Sequence, residues 1–172
     1  MTIYTMSNTR RHINLVGNIA TQARHLYKGL EICQENAALV HLGNKFNNKF
    51  NLSLIDLDEF DEDVRIIDHL SYIQPDIIVF QHNKFIWNER ETRIAGCPDL
   101  AVEIWSYGNT KIDREEKFLI YSSSSKTEHW HIEQDNNEVK CYLGKNILKT
   151  QSLLHPLRAQ NGLEFDLTHL AL

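Results

Sequence analysis

Gly96-Cys97-Pro98-Asp99-Leu100-Ala101-Val102-Glu103-Ile104-Trp105 is the stretch whose reading decides the fold. A second run of the same design, Pro75-Asp76-Ile77-Ile78-Val79-Phe80, lies upstream. Both read as buried strands. In each, proline stands at the strand start, where a missing N–H does little harm. Both also carry carboxylates where a core strand should avoid them. An unpaired buried carboxylate costs several kcal/mol, so it is expected to have a partner, and a metal ion is one such partner.

Side chains alternate along a strand, so Asp99, Ala101, Glu103 and Trp105 share one face, while Leu100, Val102 and Ile104 enter the core from the other. A strand over Tyr72–Phe80, laid alongside, would bring Asp76 towards Glu103. Two or three carboxylates converging there would make a hard, oxygen-rich site suited to Mg²⁺ or Mn²⁺. Taken singly, Asp76 and Asp99 also read as ordinary turn residues that begin strands. Glu103, within Leu-Ala-Val-Glu-Ile-Trp, is harder to explain without a cation, a metal or water beside it.

Outward from these strands, the pattern predicts a helix over Asn8 to Tyr27, with Ile13, Val16, Ile19, Ala20 and Ala23 at helical spacing and Ser7 or Asn8 as its cap. A strand follows over Leu30 to Leu42, and Gly43-Asn44 is a turn signal. A short apolar run covers Leu52 to Leu57. Between Phe80 and Leu100 a hairpin or long loop is expected. Ile112 to Tyr121 reads as a second helix, on which Asp113, Lys117 and Tyr121 occupy one face. Glu128 to Glu133 and Val139 to Leu143 read as a hairpin about Asp135-Asn136-Asn137. The tail from Gly162 to Leu172 reads as a short strand and a helical turn. This order points to an α/β or α+β domain with a mixed sheet and packed helices, one domain over residues 1–172.

The 172 residues suffice for a sizeable core. With 42% hydrophobic and 24% charged residues the composition is that of an ordinary globular chain. The formal net charge of −5 argues against strong nonspecific binding to nucleic acid, though not against a locally basic cleft. Residues 56–63 hold six carboxylates in eight positions. They read as a solvated loop, because Asp61 and Ile67 stand where a calcium loop wants Gly and Glu. Cys33, Cys97 and Cys141 are odd in number and form no CxxC, which fits a reducing, cytoplasmic setting. No apolar run approaches the roughly 20 residues that span a membrane. His129 and His131 share a strand face at a zinc-compatible spacing, but no third nitrogen or sulfur ligand is near in sequence. Arg10-Arg11 suits either phosphate contact or solubility.

Taken together, Pro75-Asp76-Ile77-Ile78-Val79, then Gly96 to Ser106, then Asp113, Glu116-Lys117 and Tyr121, then Glu128-His129-Trp130, resemble the Uma-two family of restriction-endonuclease-like proteins. His12, Val16-Gly17-Asn18-Ile19 in the first helix and Gly162 to Leu167 at the end extend the resemblance over roughly residues 10–170. It implies a PD-(D/E)xK nuclease core with flanking helices. It implies Asp76 as the metal-binding Asp, Glu103 as the acidic member of ExK, and Lys117 in place of the lysine whose motif position is taken by Trp105. Asp99 becomes an auxiliary carboxylate, and Asp113 and Tyr121 supports for Lys117. A Mg²⁺- or Mn²⁺-dependent endonuclease acting on DNA, homodimeric and without an organic cofactor, is what the resemblance implies. Tyr107-Gly108 after Ser106 departs from the family pattern. The acidic stretch and net charge favour one rival, a nuclease-fold binding module with little or no nuclease activity; a second rival is a structural or regulatory interaction protein that recruits a partner through residues 56–63.

Overall fold

A computed structural model describes residues 9–34, 38–41, 71–81 and 85–171. Helix α1 (Arg10–Leu26) leads into strands β1 (Glu31–Gln34) and β2 (Ala38–His41). Then come β3 (Ser71–Ile73), β4 (Ile77–Phe80), β5 (Phe85–Trp87), β6 (Arg93–Gly96) and β7 (Leu100–Trp105). After helix α2 (Lys111–Ser122) the chain forms β8 (Glu128–Glu133), β9 (Glu138–Leu143) and β10 (Asn146–Ser152), then the short β11 (Leu157–Arg158) and β12 (Glu164–Phe165). A 3₁₀ turn, Thr168–Leu170, closes it.

The main sheet runs β1-β4-β7-β8-β9-β10. Its one parallel pair is β7 with β8, joined through α2, as a parallel connection requires a crossover. A second sheet runs β3-β2-β6-β5, and β11 pairs with β12.

The alternation of β7 sorts two cores. Leu100, Val102 and Ile104 pack with Leu15, Val16, Ile19 and Ala23 of α1, and with Trp130, Ile132 and Phe165. Ala101 faces the other way, with Ile78, Phe80, Leu39, Ile94 and Tyr121. All six residues of β7 are buried, so this strand is covered on both faces. Glu128, also buried, is satisfied in place: its carboxylate accepts from Trp130 Nε1 at 2.6 Å and from Gln160 N at 2.7 Å.

Two expected strands are each divided. The run from Leu30 to Leu42 becomes β1 and β2, which join different sheets. The run from Tyr72 to Phe80 breaks at Gln74-Pro75-Asp76 into β3 and β4, also in different sheets. Proline cannot donate to a ladder, and the break lets the chain change sheet there. The cap of α1 is Thr9, whose hydroxyl accepts from His12 N at 3.1 Å, rather than Ser7 or Asn8. The expected turn at Gly43-Asn44, the run over Leu52–Leu57 and the acidic stretch 56–63 lie outside the described residues. Strand β10 was not expected. It is an edge strand with a polar sequence, joined to β9 through Gly144-Lys145, where Gly144 takes φ 55°, a value that favours glycine. No helix among the described residues is long and apolar enough to cross a membrane.

Leu15 is fully buried against the sheet, whereas Leu119 on the outer side of α2 is 60% exposed. Leu15→Ala is expected to lower unfolding free energy by about 2–5 kcal/mol in urea titrations. Leu119→Ala should stay within about 0.5 kcal/mol. Equal effects would contradict the packing of α1.

Candidate active site

The antiparallel register of β4 and β7 pairs Ile77 with Val102, so the next step along brings Asp76 beside Glu103. Asp76 is buried and its Oδ2 accepts from the Ile104 backbone N at 2.6 Å, which fixes the carboxylate at the strand junction. Its Oδ1 lies 3.5 Å from Nε2 of His12, a buried residue of α1.

Glu103 has no exposed surface. Lys117 Nζ donates to its Oε2 at 2.6 Å, and the Tyr121 hydroxyl donates to its Oε1 at 2.7 Å. Both donors come from α2, one turn apart, on the face that packs against the sheet. Lys117 Nζ also donates to the Gln74 carbonyl at 2.8 Å and sits 5.5 Å above the centre of the Trp105 ring. Burial pushes the Glu103 carboxyl up to about 7, the Lys117 ammonium opposes this, and the Asp76 carboxylate adds to it. Burial and then Glu103 push the Tyr121 phenol well above its ordinary value, so it acts as a neutral donor.

The three residues singled out in the sequence, Asp76, Glu103 and Lys117, thus stand together. Asp99 stands apart. Its carboxylate accepts from Gln81 N at 2.6 Å, beyond the end of β4. Four steps along the chain separate it from Glu103, about 13 Å at 3.3 Å per residue. One cation cannot take both as ligands, so the expected convergence of three carboxylates does not form. Asp113 has another duty than supporting Lys117: with Thr110 it forms the capping box that starts α2.

Trp105, in the motif position of lysine, begins a chain of hydrogen bonds along the same sheet face. Its Nε1 lies 3.1 Å from His131 Nδ1; His131 Nε2 lies 3.0 Å from His129 Nδ1; His129 Nε2 lies 2.9 Å from the Gly144 carbonyl. Indole N–H can only donate and a carbonyl can only accept. Both ends therefore dictate the same tautomers, with each histidine neutral and protonated on Nε2. Burial lowers His129 to about 4 and His131 to about 3, the latter helped by His129 and the nearby Lys117 and Arg114. All four ring nitrogens are engaged in this chain. Cys97 is buried against the hydroxyls of Ser124 (2.8 Å) and Thr127 (3.2 Å), and burial raises its thiol pKa, the state of an inert core cysteine.

The approach of His12 to Asp76 and the Gln74 carbonyl under Lys117 are not expected from the sequence. His12 sits one helical step before Leu15, Val16 and Ile19 on the buried face of α1, and a histidine in that stripe is the signal that points to it.

Two adjoining carboxylates, buried and offset by one ammonium, leave a local excess of negative charge. The raised Glu103 pKa comes first from burial, and the Asp76 carboxylate adds to it against the opposing Lys117 ammonium. Hard oxygen donors with excess charge fit Mg²⁺ or Mn²⁺. Among the described residues no group of three or more His, Cys, Asp or Glu side chains is arranged to hold a metal. A cation at Asp76 and Glu103 would complete its shell with water and substrate oxygens, as Mg²⁺ commonly does.

A family model, Uma2, described as "Putative restriction endonuclease", matches residues 2–171. In fold the chain is similar to the crystal structure of "a putative nuclease belonging to DUF820" from Anabaena variabilis. The identity is 15%, the TM-score 0.55, and the match covers 92% of this chain and 78% of that one. At that identity the likeness speaks for the fold: a mixed α/β nuclease fold, in keeping with the expected restriction-endonuclease-like core. No curated protein matches the chain.

The shifted groups give a pH signature in metal-free buffer. Glu103 is raised from 4.5 to about 7, so between these values the native state holds a proton that the unfolded chain has lost. Its contribution to stability therefore falls as pH rises, by up to about 1.4 kcal/mol per pH unit. His129 and His131 act oppositely: the unfolded chain binds protons below 6.5 that the native state refuses, so stability rises towards pH 6.5. Glu103→Gln is expected to steepen the rise between pH 5 and 6.5 and to remove the decline from there to pH 7. Urea-derived stabilities that overlay the wild type across this range would contradict a proton on native Glu103.

Proposed function

This chain belongs to the Uma2 family, and from that premise we propose that it is a Mg²⁺- or Mn²⁺-dependent endodeoxyribonuclease, hydrolysing DNA phosphodiester bonds at Asp76, Glu103 and Lys117. The observation that carries the reading is the wholly buried Glu103 carboxylate, beside Asp76 and 2.6 Å from the Lys117 ammonium. A structural role alone gives little reason to place two carboxylates and one lysine at a strand junction. Metal-assisted phosphoryl chemistry needs such a set.

Asp76 and Glu103 would hold the cation, which when bound lowers the pKa of a water and neutralises charge on the phosphoryl oxygens. The chain's own residues supply the rest. The Ile104 N–H keeps the Asp76 carboxylate aimed. Tyr121 fixes the Glu103 side chain from one side and Lys117 from the other. The Lys117 side chain is 21% exposed, so its charge faces the outer side of the pair, where it stabilises negative charge gathering on the scissile phosphate. Asp99 lies outside this ligand set. A homodimer would offer one such site to each strand of a duplex.

Wild-type protein is expected to cut plasmid DNA with Mg²⁺ or Mn²⁺ and not with EDTA. Lys117→Ala should lower the rate at least about 100-fold, the loss typical of one charge-stabilising donor. Titration calorimetry with Mn²⁺ should show binding that Asp76→Ala abolishes and Asp99→Ala keeps. Mn²⁺ binding by Asp76→Ala as tight as by wild type would remove the metal site. Intact plasmid with every divalent metal would leave the binding-module alternative.

A further inference from the structure

Among the described residues, three donors lack an acceptor where the start of α1 meets the turn between β8 and β9. Arg11 Nη2 donates to Asn137 Oδ1 at 2.5 Å, but Arg11 Nε and Nη1 are buried with no partner. Gln134 is 1% exposed; its Oε1 accepts from Thr9 Oγ1 at 2.9 Å, while its Nε2 is buried with no partner. Buried donors left unmet are costly, and native proteins seldom keep three together.

The surroundings say which acceptor is wanted. Thr9 caps α1, so the Gln134 carboxamide lies against the positive end of a 17-residue helix. Such an end favours Asp or Glu in its first turn. Here the first turn has no acid and begins Arg10-Arg11, positive charge on a positive pole. Burial lowers the Arg11 pKa and Asp135 only partly offsets that. Asp135 Oδ2 accepts from Tyr107 N at 3.2 Å.

We propose that Arg11 and Gln134 bind one tetrahedral oxyanion at the start of α1, and that in the working protein it is a DNA phosphate flanking the one that is cut. The second half rests on the nuclease reading above; the anion site itself does not. The position suits the role. Gln134 N donates to the Trp105 carbonyl, two residues beyond Glu103 and about 7 Å along the strand. His12, next to Arg11, reaches Asp76.

Thermal unfolding in inorganic phosphate, against chloride at equal ionic strength, tests the site without DNA. Wild type is expected to gain about 3 °C from phosphate at several times its Kd. Arg11→Met should lose that gain. Gln134→Glu places an acceptor beside Arg11, and should melt higher than wild type in chloride and ignore phosphate. It remains informative if Arg11→Met fails to fold. Equal melting of wild type in both salts overturns the proposal, since the Gln134 amide then turns its oxygen to Arg11 and closes the cluster. So does a phosphate gain that survives in Gln134→Glu. For the DNA half, Arg11→Met should lower the salt slope of duplex binding by about one phosphate contact. An unchanged slope, with the phosphate response intact in wild type, would detach the site from DNA while leaving the nuclease assay to stand or fall separately.

Discussion

A carboxylate with no exposed surface, in a strand buried on both faces, constrains everything around it. Glu103 is tolerable only because α2 sets Lys117 and Tyr121 on its two oxygens. Removing one partner of such a pair leaves an uncompensated buried charge, typically worth 3–5 kcal/mol. The helix therefore cannot slide or rotate on the sheet without cost, and its start is pinned by the Thr110–Asp113 capping box. Arg114 ties that same end to the Ser106 carbonyl at 3.0 Å and to Glu133. One ion pair thus sets the register of the crossover between β7 and β8.

Around this pair the sheet face is built from groups that stay neutral. His129, His131, Tyr142, Phe118 and Trp105 pack their rings at centroid separations of 5–6 Å. The histidines serve as aromatic spacers whose polar atoms satisfy one another from Trp105 to Gly144. A cationic imidazole here would face Lys117 and Arg114 across a dry interface. The low histidine pKa values and the occupied nitrogens are two expressions of that arrangement. It leaves the negative excess of Asp76 and Glu103 confined to the strand junction.

Much of this was legible in the sequence because it follows from period and punctuation. The alternation of Leu100 to Trp105 puts Glu103 opposite the core side chains, and the i, i+4 spacing of Lys117 and Tyr121 puts both on one helix face. The hairpin about Asp135-Asn136-Asn137 and both long helices have equally local causes. What was not legible is long-range. Whether Asp76 meets Glu103 depends on strand register, and the antiparallel pairing of β4 with β7 brings the two side by side. The division of the 30–42 and 72–80 runs between two sheets also depends on tertiary partners. Strand β10 has too little alternation to announce itself, since an edge strand need not bury its side chains. His12 carries a period but no hint of Asp76, which lies 64 positions away in sequence.

Trp105 shows how a motif position can be vacated without losing the charge. A lysine there, two residues past Glu103 on the same face, would be held by the strand alone. Lys117 reaches Glu103 from a separate element and crosses the Trp105 ring to do so. The ammonium is thus placed by tertiary packing, and its distance from Glu103 reports whether α2 is docked. A helix loosened by a turn's width would leave two buried carboxylates facing each other without a cation, a state the protein would relieve by protonating Glu103 or by rebinding the helix. Docking and charge placement are consequently one equilibrium. Trp105 stabilises its docked side twice, as the surface under Lys117 and Arg114 and as the donor that starts the histidine chain.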